Sequence, residues 1–120
     1  MRIEFEFHYQ RQIPGACLSF QIVNQAQVPV LHFCAYDYPV EICKGSGTTT
    51  IACLVPRLNL NVGTYSLTVY FSDPPGGQMY QHLEGICKFS VVILDKTTLY
   101  GWRPEVCTYF EEAQWTAMTR

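Results

Sequence analysis

The chain has 120 residues, of which 48% are hydrophobic, 14% aromatic and 15% charged, and its formal net charge is −2. This length suits one domain with a packed core, and the hydrophobic content excludes an intrinsically disordered chain. No lysine or arginine cluster indicates a nucleic-acid-binding protein, and no apolar run approaches the roughly 20 residues that a membrane helix needs.

Apolar and polar residues alternate along six segments, and residues that favour turns separate these segments. Alternation with a period of two predicts β-strands that are buried on one face. The predicted strands cover residues 2–9, 17–23, 28–36, 48–55, 64–72 and 86–94. The first begins at once with charged residues, unlike a signal peptide. Short strands at this spacing predict a single all-β domain, an antiparallel sandwich of immunoglobulin-like or jelly-roll type.

The connections and the C-terminal part are less regular. Residues 73–77, with two prolines and two glycines, predict a turn or loop, and we expect His82 to lie in the loop that continues from it. Beyond residue 95 the pattern predicts irregular chain. It allows a short strand around residues 106–110 and one or two helical turns over 110–118.

A local motif supports the sandwich. Leu58 and Leu60 precede Gly63, and Tyr65 then opens the fifth predicted strand. In immunoglobulin-like sandwiches a tyrosine at such a place folds its hydroxyl back onto the preceding turn. Gly63 permits the tight backbone that this corner needs. We therefore expect Tyr65 to have a structural role in the core.

The six cysteines show no CxxC pair and no spacing typical of zinc ligands. They are Cys17, Cys34, Cys43, Cys53, Cys87 and Cys107. Cys53 and Cys87 alternate with large apolar residues, which predicts that they point inward like small hydrophobic side chains. This pattern favours free, reduced thiols, and three disulfide bridges are the alternative.

The sequence predicts neither a catalytic site nor a cofactor or metal site. Residues 45–50 lack the lysine and the spacing of a phosphate-binding loop, and a strand follows them instead of a helix. Glu4 and Glu6 lie about 7 Å apart along one strand, a separation that fits an inverting glycosidase pair. Their alternation with Arg2 and His8 is more typical of a solvated sheet face. No spacing pairs a cysteine with a histidine for nucleophilic catalysis.

The outward residues of the other strands are more informative. In immunoglobulin order, strands 17–23, 28–36, 64–72 and 86–94 form one sheet, and strands 2–9 and 48–55 form the other. The outward face of the larger sheet is then polar but almost uncharged. It consists of Ser19, Gln21, His32, Tyr36, Ser66, Thr68, Tyr70, Lys88 and Ser90.

Such a face matches the chemistry of sugars, because hydroxyl, amide and ammonium groups bond to sugar hydroxyls and aromatic rings cover the flat C–H faces. The alternative is an ordinary solvated sheet face. The predicted carbohydrate-binding residues are Gln21, His32, Tyr36, Thr68, Tyr70, Lys88 and Ser90. Weak binding to each site would be strengthened along a polymer by multivalency.

Three segments also carry a resemblance to a known family. Residues 58–67 match the pattern L-x-L-x-x-G-x-Y-x-L, residues 80–91 contain an F-x-V strand, and the tail from 101 to 115 ends in a tryptophan. In these features the chain resembles the C-terminal domain of the ATP-binding subunits of polysaccharide ABC transporters of the Wzt type. The six cysteines and the Pro74-Pro75 pair depart from that pattern.

The resemblance implies a cytoplasmic domain at the inner membrane that recognises a lipid-linked O-antigen glycan before export. It implies a homodimer, with a terminal strand that can be exchanged, and contact with the membrane subunit through the parent chain. It also implies that an ATPase domain and the first strand or two precede Met1. No Walker motif occurs in this sequence, so we expect no catalysis from it. The alternative function is a protein-interaction or dimerisation module that binds no glycan.

Overall fold

The alternating segments form six β-strands in a computed structural model of the chain, which describes residues 1–35, 42–44, 47–73, 77–92, 103 and 105–118. The strands are β1 (Arg2–Tyr9), β2 (Cys17–Val23), β3 (Pro29–Ala35), β4 (Gly47–Leu54), β5 (Gly63–Ser72) and β6 (Met79–Val91). All strand pairs are antiparallel. Within the described ranges we find no helix that is long and apolar enough to cross a membrane.

The strands lie in two sheets, as the sequence predicts. One sheet has two strands in the order β1-β4, and the other has four in the order β3-β2-β5-β6. The predicted division of strands between the sheets is therefore confirmed, and so is the all-β sandwich.

The core lies between the sheets because the apolar residues of each strand share one face. Phe5 of β1 meets Phe20 of β2, with ring centroids 5.2 Å apart, and Phe7 meets Phe71 of β5 at 4.8 Å. Such aromatic pairs contribute about 0.5–1.5 kcal/mol beyond the burial of their area. The fully or nearly buried members of the core are Ala16, Leu18, Phe20, Ile22, Ile42, Cys43, Leu60, Tyr65, Leu67, Val69 and Phe71.

The last strand differs most from its predicted range. β6 begins at Met79, seven residues before the predicted start, and its end at Val91 falls short of the predicted residues 93–94, which lie outside the described residues. His82 therefore lies on a strand, and its predicted place in a loop is wrong. The predicted turn at 73–77 includes residues 74–76, which also lie outside the described residues.

The predicted burial of Cys87 is also wrong. Its side chain is exposed and borders the space between β1 and β6, whereas its neighbour Phe89 is half-buried against the core. The backbone explains the change, since Gly85 (φ 65°) and Cys87 (φ 50°) adopt left-handed conformations where the pairing of β6 with β5 shifts register. Each bulge shifts by one residue which side chains face inward, so alternation counted from Phe89 fails at Cys87.

The C-terminal part is extended. Tyr109 forms a single β-bridge with Leu60 in the region of the predicted short strand, and the Phe110 amide donates to the Asn59 carbonyl at 3.0 Å. The described residues from 110 onward form no helical turn, so the predicted helix is wrong. Residues 111–118 are all exposed, and a helix this short has too few bonds to persist without a surface on which to pack.

The tyrosine corner is confirmed. The Tyr65 hydroxyl donates to the Asn61 carbonyl at 2.7 Å, and Tyr65 is only 3% exposed. Asn61 is itself fully buried, and its Nδ2 donates to the carbonyls of Arg103 and Cys107 at 2.7 and 2.8 Å. The corner thus holds the start of β5 and the C-terminal chain in one hydrogen-bonded unit. Burial raises the pKa of the Tyr65 hydroxyl, which keeps it protonated as a donor.

Removal of the corner hydroxyl in Tyr65→Phe should lower the free energy of unfolding by about 1–3 kcal/mol, because it leaves the buried Asn61 carbonyl without its donor. Urea unfolding measures the change. Tyr9→Phe is the control, since the Tyr9 hydroxyl bonds to Lys44 and Thr49 near the surface, where water can replace it. Equal losses in the two variants would contradict a special role for the corner.

Candidate functional site

The candidate site is the outer face of the four-stranded sheet, defined by the outward residues of β2, β3, β5 and β6. Strand pairing arranges its central residues in rows across the sheet. One row places His32 beside Gln21 and Gln21 beside Thr68. The next row runs from Cys34 and Ser19 to Tyr70 and then His82.

The structure brings some of the predicted site residues together and separates others. Gln21, His32 and Thr68 share one row, and Tyr70 lies in the adjacent row. Ser90 pairs with Thr64, four residues along β5 from Thr68, which is about 13 Å at the rise of a strand. Lys88 lies on β6 between the bulge and Ser90, and Tyr36 lies outside the described residues.

The depth of the face varies across the sheet. Ser66 and Thr68 are each only 9% exposed, although they point away from the core. His32, Lys88 and Ser90 are exposed, and Gln21 and Tyr70 are half-buried. The face therefore has a floor of small hydroxyl side chains and a rim of larger polar ones.

His82 is the residue that the sequence analysis missed. Its ring stacks on that of Tyr70, with centroids 4.6 Å apart and planes at 16°, and its Nε2 lies 3.2 Å from Oε1 of Glu84. The two rings lie face to face, so each covers one face of the other, and their outer faces and edges remain at the β6 side of the outer face. A signal was present in the sequence, because no turn residue occurs between Met79 and Glu84 and the strand can extend through them.

The exterior of the smaller sheet is different in character. Arg2 pairs with Glu4 at 3.0 Å, and Glu6 pairs with His8 at 2.8 Å. Both carboxylates considered as a hydrolytic pair therefore contact neighbouring side chains, and all four residues are well exposed. In the part of the chain that the structure describes, no cluster of three or more metal-ligating side chains is found.

A cleft between β1 and β6 is the second notable surface. It has a volume of about 970 Å³ and lies where the two-stranded sheet leaves the inner face of the larger sheet uncovered. Phe5 and Phe7 line it from β1, Val69 and Phe71 from β5, and Ile86 from β6. Leu83 stands at its rim and is 43% exposed. Its lining is mostly apolar, so water inside it has few partners.

The C-terminal tail, residues 111–118, is exposed. Trp115 and Met118 are 91% and 92% exposed, and the radius of gyration of the chain is 18.4 Å. A compact domain of this length would have a radius of gyration of about 14 Å. From 113 to 117 the tail alternates Ala113, Trp115 and Ala117 with polar residues, the pattern of a half-buried strand. The tail thus has the sequence of a strand and no partner strand among the described residues.

The family model described as the Wzt C-terminal domain matches residues 1–102 of the chain. The match includes all six strands and every residue of the outer face. No curated protein matches the chain.

The stack predicts a spectroscopic signature. In His82→Ala the ring protons of Tyr70 should move downfield, because the ring current of the stacked imidazole is lost. Two-dimensional NMR of the aromatic region measures this shift. His32→Ala is the matched control, because His32 lies on β3 at the opposite edge of the same sheet and should leave the Tyr70 signals in place. Unchanged Tyr70 signals in His82→Ala would exclude the stack in solution.

Proposed function

The chain belongs to the Wzt C-terminal domain family of non-catalytic domains from polysaccharide ABC transporters, and on that premise we propose that its outer face binds a polysaccharide chain for export. The ligand we propose is an O-antigen glycan, recognised on the cytoplasmic side of the inner membrane, where the parent chain meets the membrane subunit. The observation that carries the proposal is the contrast between the two exteriors. The smaller sheet presents the Arg2–Glu4 and Glu6–His8 pairs, whereas the larger presents hydroxyls, an amide and stacked rings, with its charged residues confined to β6.

The geometry of the outer face suits a sugar chain in two ways. The Tyr70–His82 stack provides an apolar surface for the C–H face of one sugar ring. Gln21 and His32, which lie side by side in the next row, provide donors and acceptors for the hydroxyls of that sugar or its neighbour. Lys88 and Ser90, farther along β6, would contact another residue of an extended polymer. Thr68 is buried and supports the site from below.

A shallow face of this kind predicts weak binding, in the range of about −4 to −8 kcal/mol for millimolar to micromolar affinity. Repeated sugar units let several copies of the domain bind one polymer at once, and they offer a single domain several equivalent binding positions along the polymer. Oligosaccharides of the O-polysaccharide should therefore bind better as their length increases.

Tyr70→Ala should weaken the binding of O-polysaccharide oligosaccharides by about 1 kcal/mol, roughly fivefold, because it removes the ring that covers the sugar. Gln21→Ala should weaken binding through lost hydrogen bonds. Calorimetry or NMR chemical-shift titration measures both effects. Glu6→Gln, on the other sheet, is the matched control and should bind like the wild type. If neither Tyr70→Ala nor Gln21→Ala changes binding, the outer face is not the glycan site.

A second function, dimerisation, is favoured by the cleft and the tail. We propose that the tail of one copy pairs with the free edge of β1 in a second copy and covers the cleft with its apolar face. β1 pairs only with β4 among the described strands, so its other edge, which borders the cleft, offers unpaired backbone groups. Ala113, Trp115 and Ala117 would then face inward. Exchange between two copies makes the contact twice and closes the assembly as a symmetric dimer.

Light scattering with size-exclusion chromatography tests the exchange. The wild-type chain should have the mass of a dimer, and Trp115→Ser should raise the dimer dissociation constant by more than tenfold, because it removes the largest side chain from the cleft. Thr116→Ser is the matched control, since the next residue points to the opposite side of a strand. A wild-type chain that remains monomeric at high micromolar concentration would refute the exchange and leave glycan binding untouched.

A further inference from the structure

Two cysteines meet on the outer face of the four-stranded sheet. The Sγ atoms of Cys17 and Cys34 are 3.5 Å apart, and both thiols are free. Cys17 is the first residue of β2, and Cys34 is next to last in β3. Because Cys34 pairs with Ser19, Cys17 is its diagonal neighbour on the same face of the sheet. A disulfide bond is about 2.05 Å long, so an approach of about 1.5 Å would join the two sulfur atoms.

The position of the pair makes that approach feasible. Both cysteines lie at strand ends, where few ladder bonds hold the backbone on one side. The two thiols differ in access, since Cys34 is exposed and Cys17 is only 7% exposed. Burial, with the hydrogen bond and the charge of Cys34, raises the pKa of Cys17 to about 11. An external reagent therefore reaches Cys34 first, and Cys17 reacts through Cys34.

We propose that Cys17 and Cys34 are a redox-sensitive thiol pair, which a low-molecular-weight disulfide such as glutathione disulfide oxidises to an intramolecular disulfide between β2 and β3. The Cys34 thiolate attacks one sulfur of glutathione disulfide, the S–S bond breaks, and one glutathione leaves with the proton that Cys34 has lost. The Cys17 thiolate then attacks Sγ of Cys34 and displaces the second glutathione. In total, two thiols lose two electrons and two protons, and one glutathione disulfide becomes two glutathione molecules.

Cys87 provides an internal comparison. It is also exposed, but it lies on β6, at the opposite edge of the sheet from Cys34. Glutathione disulfide should therefore form a mixed disulfide with Cys87 that persists. At Cys34 the same adduct should be short-lived, because Cys17 resolves it.

The reduced protein is incubated with glutathione disulfide, and the remaining thiols are blocked with iodoacetamide. Because no lysine or arginine separates Cys17, Cys34 and Cys43, trypsin leaves all three on one peptide, and chymotrypsin is needed to separate them. Non-reducing mass spectrometry should find a Cys17–Cys34 linkage and a glutathione adduct on Cys87. Dithiothreitol should reverse both.

Cysteine variants distinguish a specific Cys17–Cys34 linkage from general reactivity of the thiols. In Cys17→Ser the Cys34–glutathione adduct should accumulate at least tenfold above its wild-type level, because no resolving thiol remains. In Cys34→Ser, an exposed substitution that leaves the core unchanged, Cys17 should stay unmodified. Cys53→Ser is the matched control and should form the Cys17–Cys34 linkage normally. A persistent Cys34 adduct in the wild type, or a linkage to any other cysteine, would overturn the proposal.

Discussion

The packing of β1 against the four-stranded sheet is the contact on which the sandwich depends. Among the described residues, strand pairing joins β1 to β4 and to no strand of the larger sheet, so side-chain packing holds β1 against that sheet. Phe5 and Phe7 provide the aromatic contacts, on Phe20 and Phe71 respectively. Because alternate side chains point to opposite faces, a slip of one residue would place Arg2, Glu4, Glu6 and His8 inside. The charged outer surface of the smaller sheet is thus a requirement of the packing.

The same constraint shapes the outer face of the larger sheet. Once Phe20 and Phe71 point inward, their neighbours Ser19, Gln21 and Tyr70 must point outward. Both outer faces of the protein are therefore set by one alternation. Packing fixes the charged exterior of the smaller sheet, whereas nothing in the core requires an aromatic stack on the exterior of the larger one. For this reason the stack is the better indicator of function.

Much of the fold could be predicted from the sequence, because the signals were local. Alternation over eight residues was sufficient for β1, and the Gly63–Tyr65 spacing was sufficient for the corner. The bulges of β6 could not be predicted in the same way, since alternation counted backward from Phe89 fails when a left-handed residue interrupts it. The Tyr70–His82 stack depends on those bulges, because they bring His82 opposite Tyr70. The helix predicted over 110–118 failed because a short local pattern says nothing about the surface on which the segment packs.

The bulges of β6 and the proline that opens β3 have a consequence for self-association. An outer strand with left-handed residues, or one without a backbone donor at its start, is a poor template for a further strand. The larger sheet is protected in this way on both sides, by Gly85 and Cys87 on β6 and by Pro29 on β3. The smaller sheet has no such protection, since β1 and β4 pair through eight consecutive residues without interruption. A further strand therefore meets fewer obstacles at the smaller sheet than at the larger one, whose outer strands are poorer templates for edge-to-edge stacking.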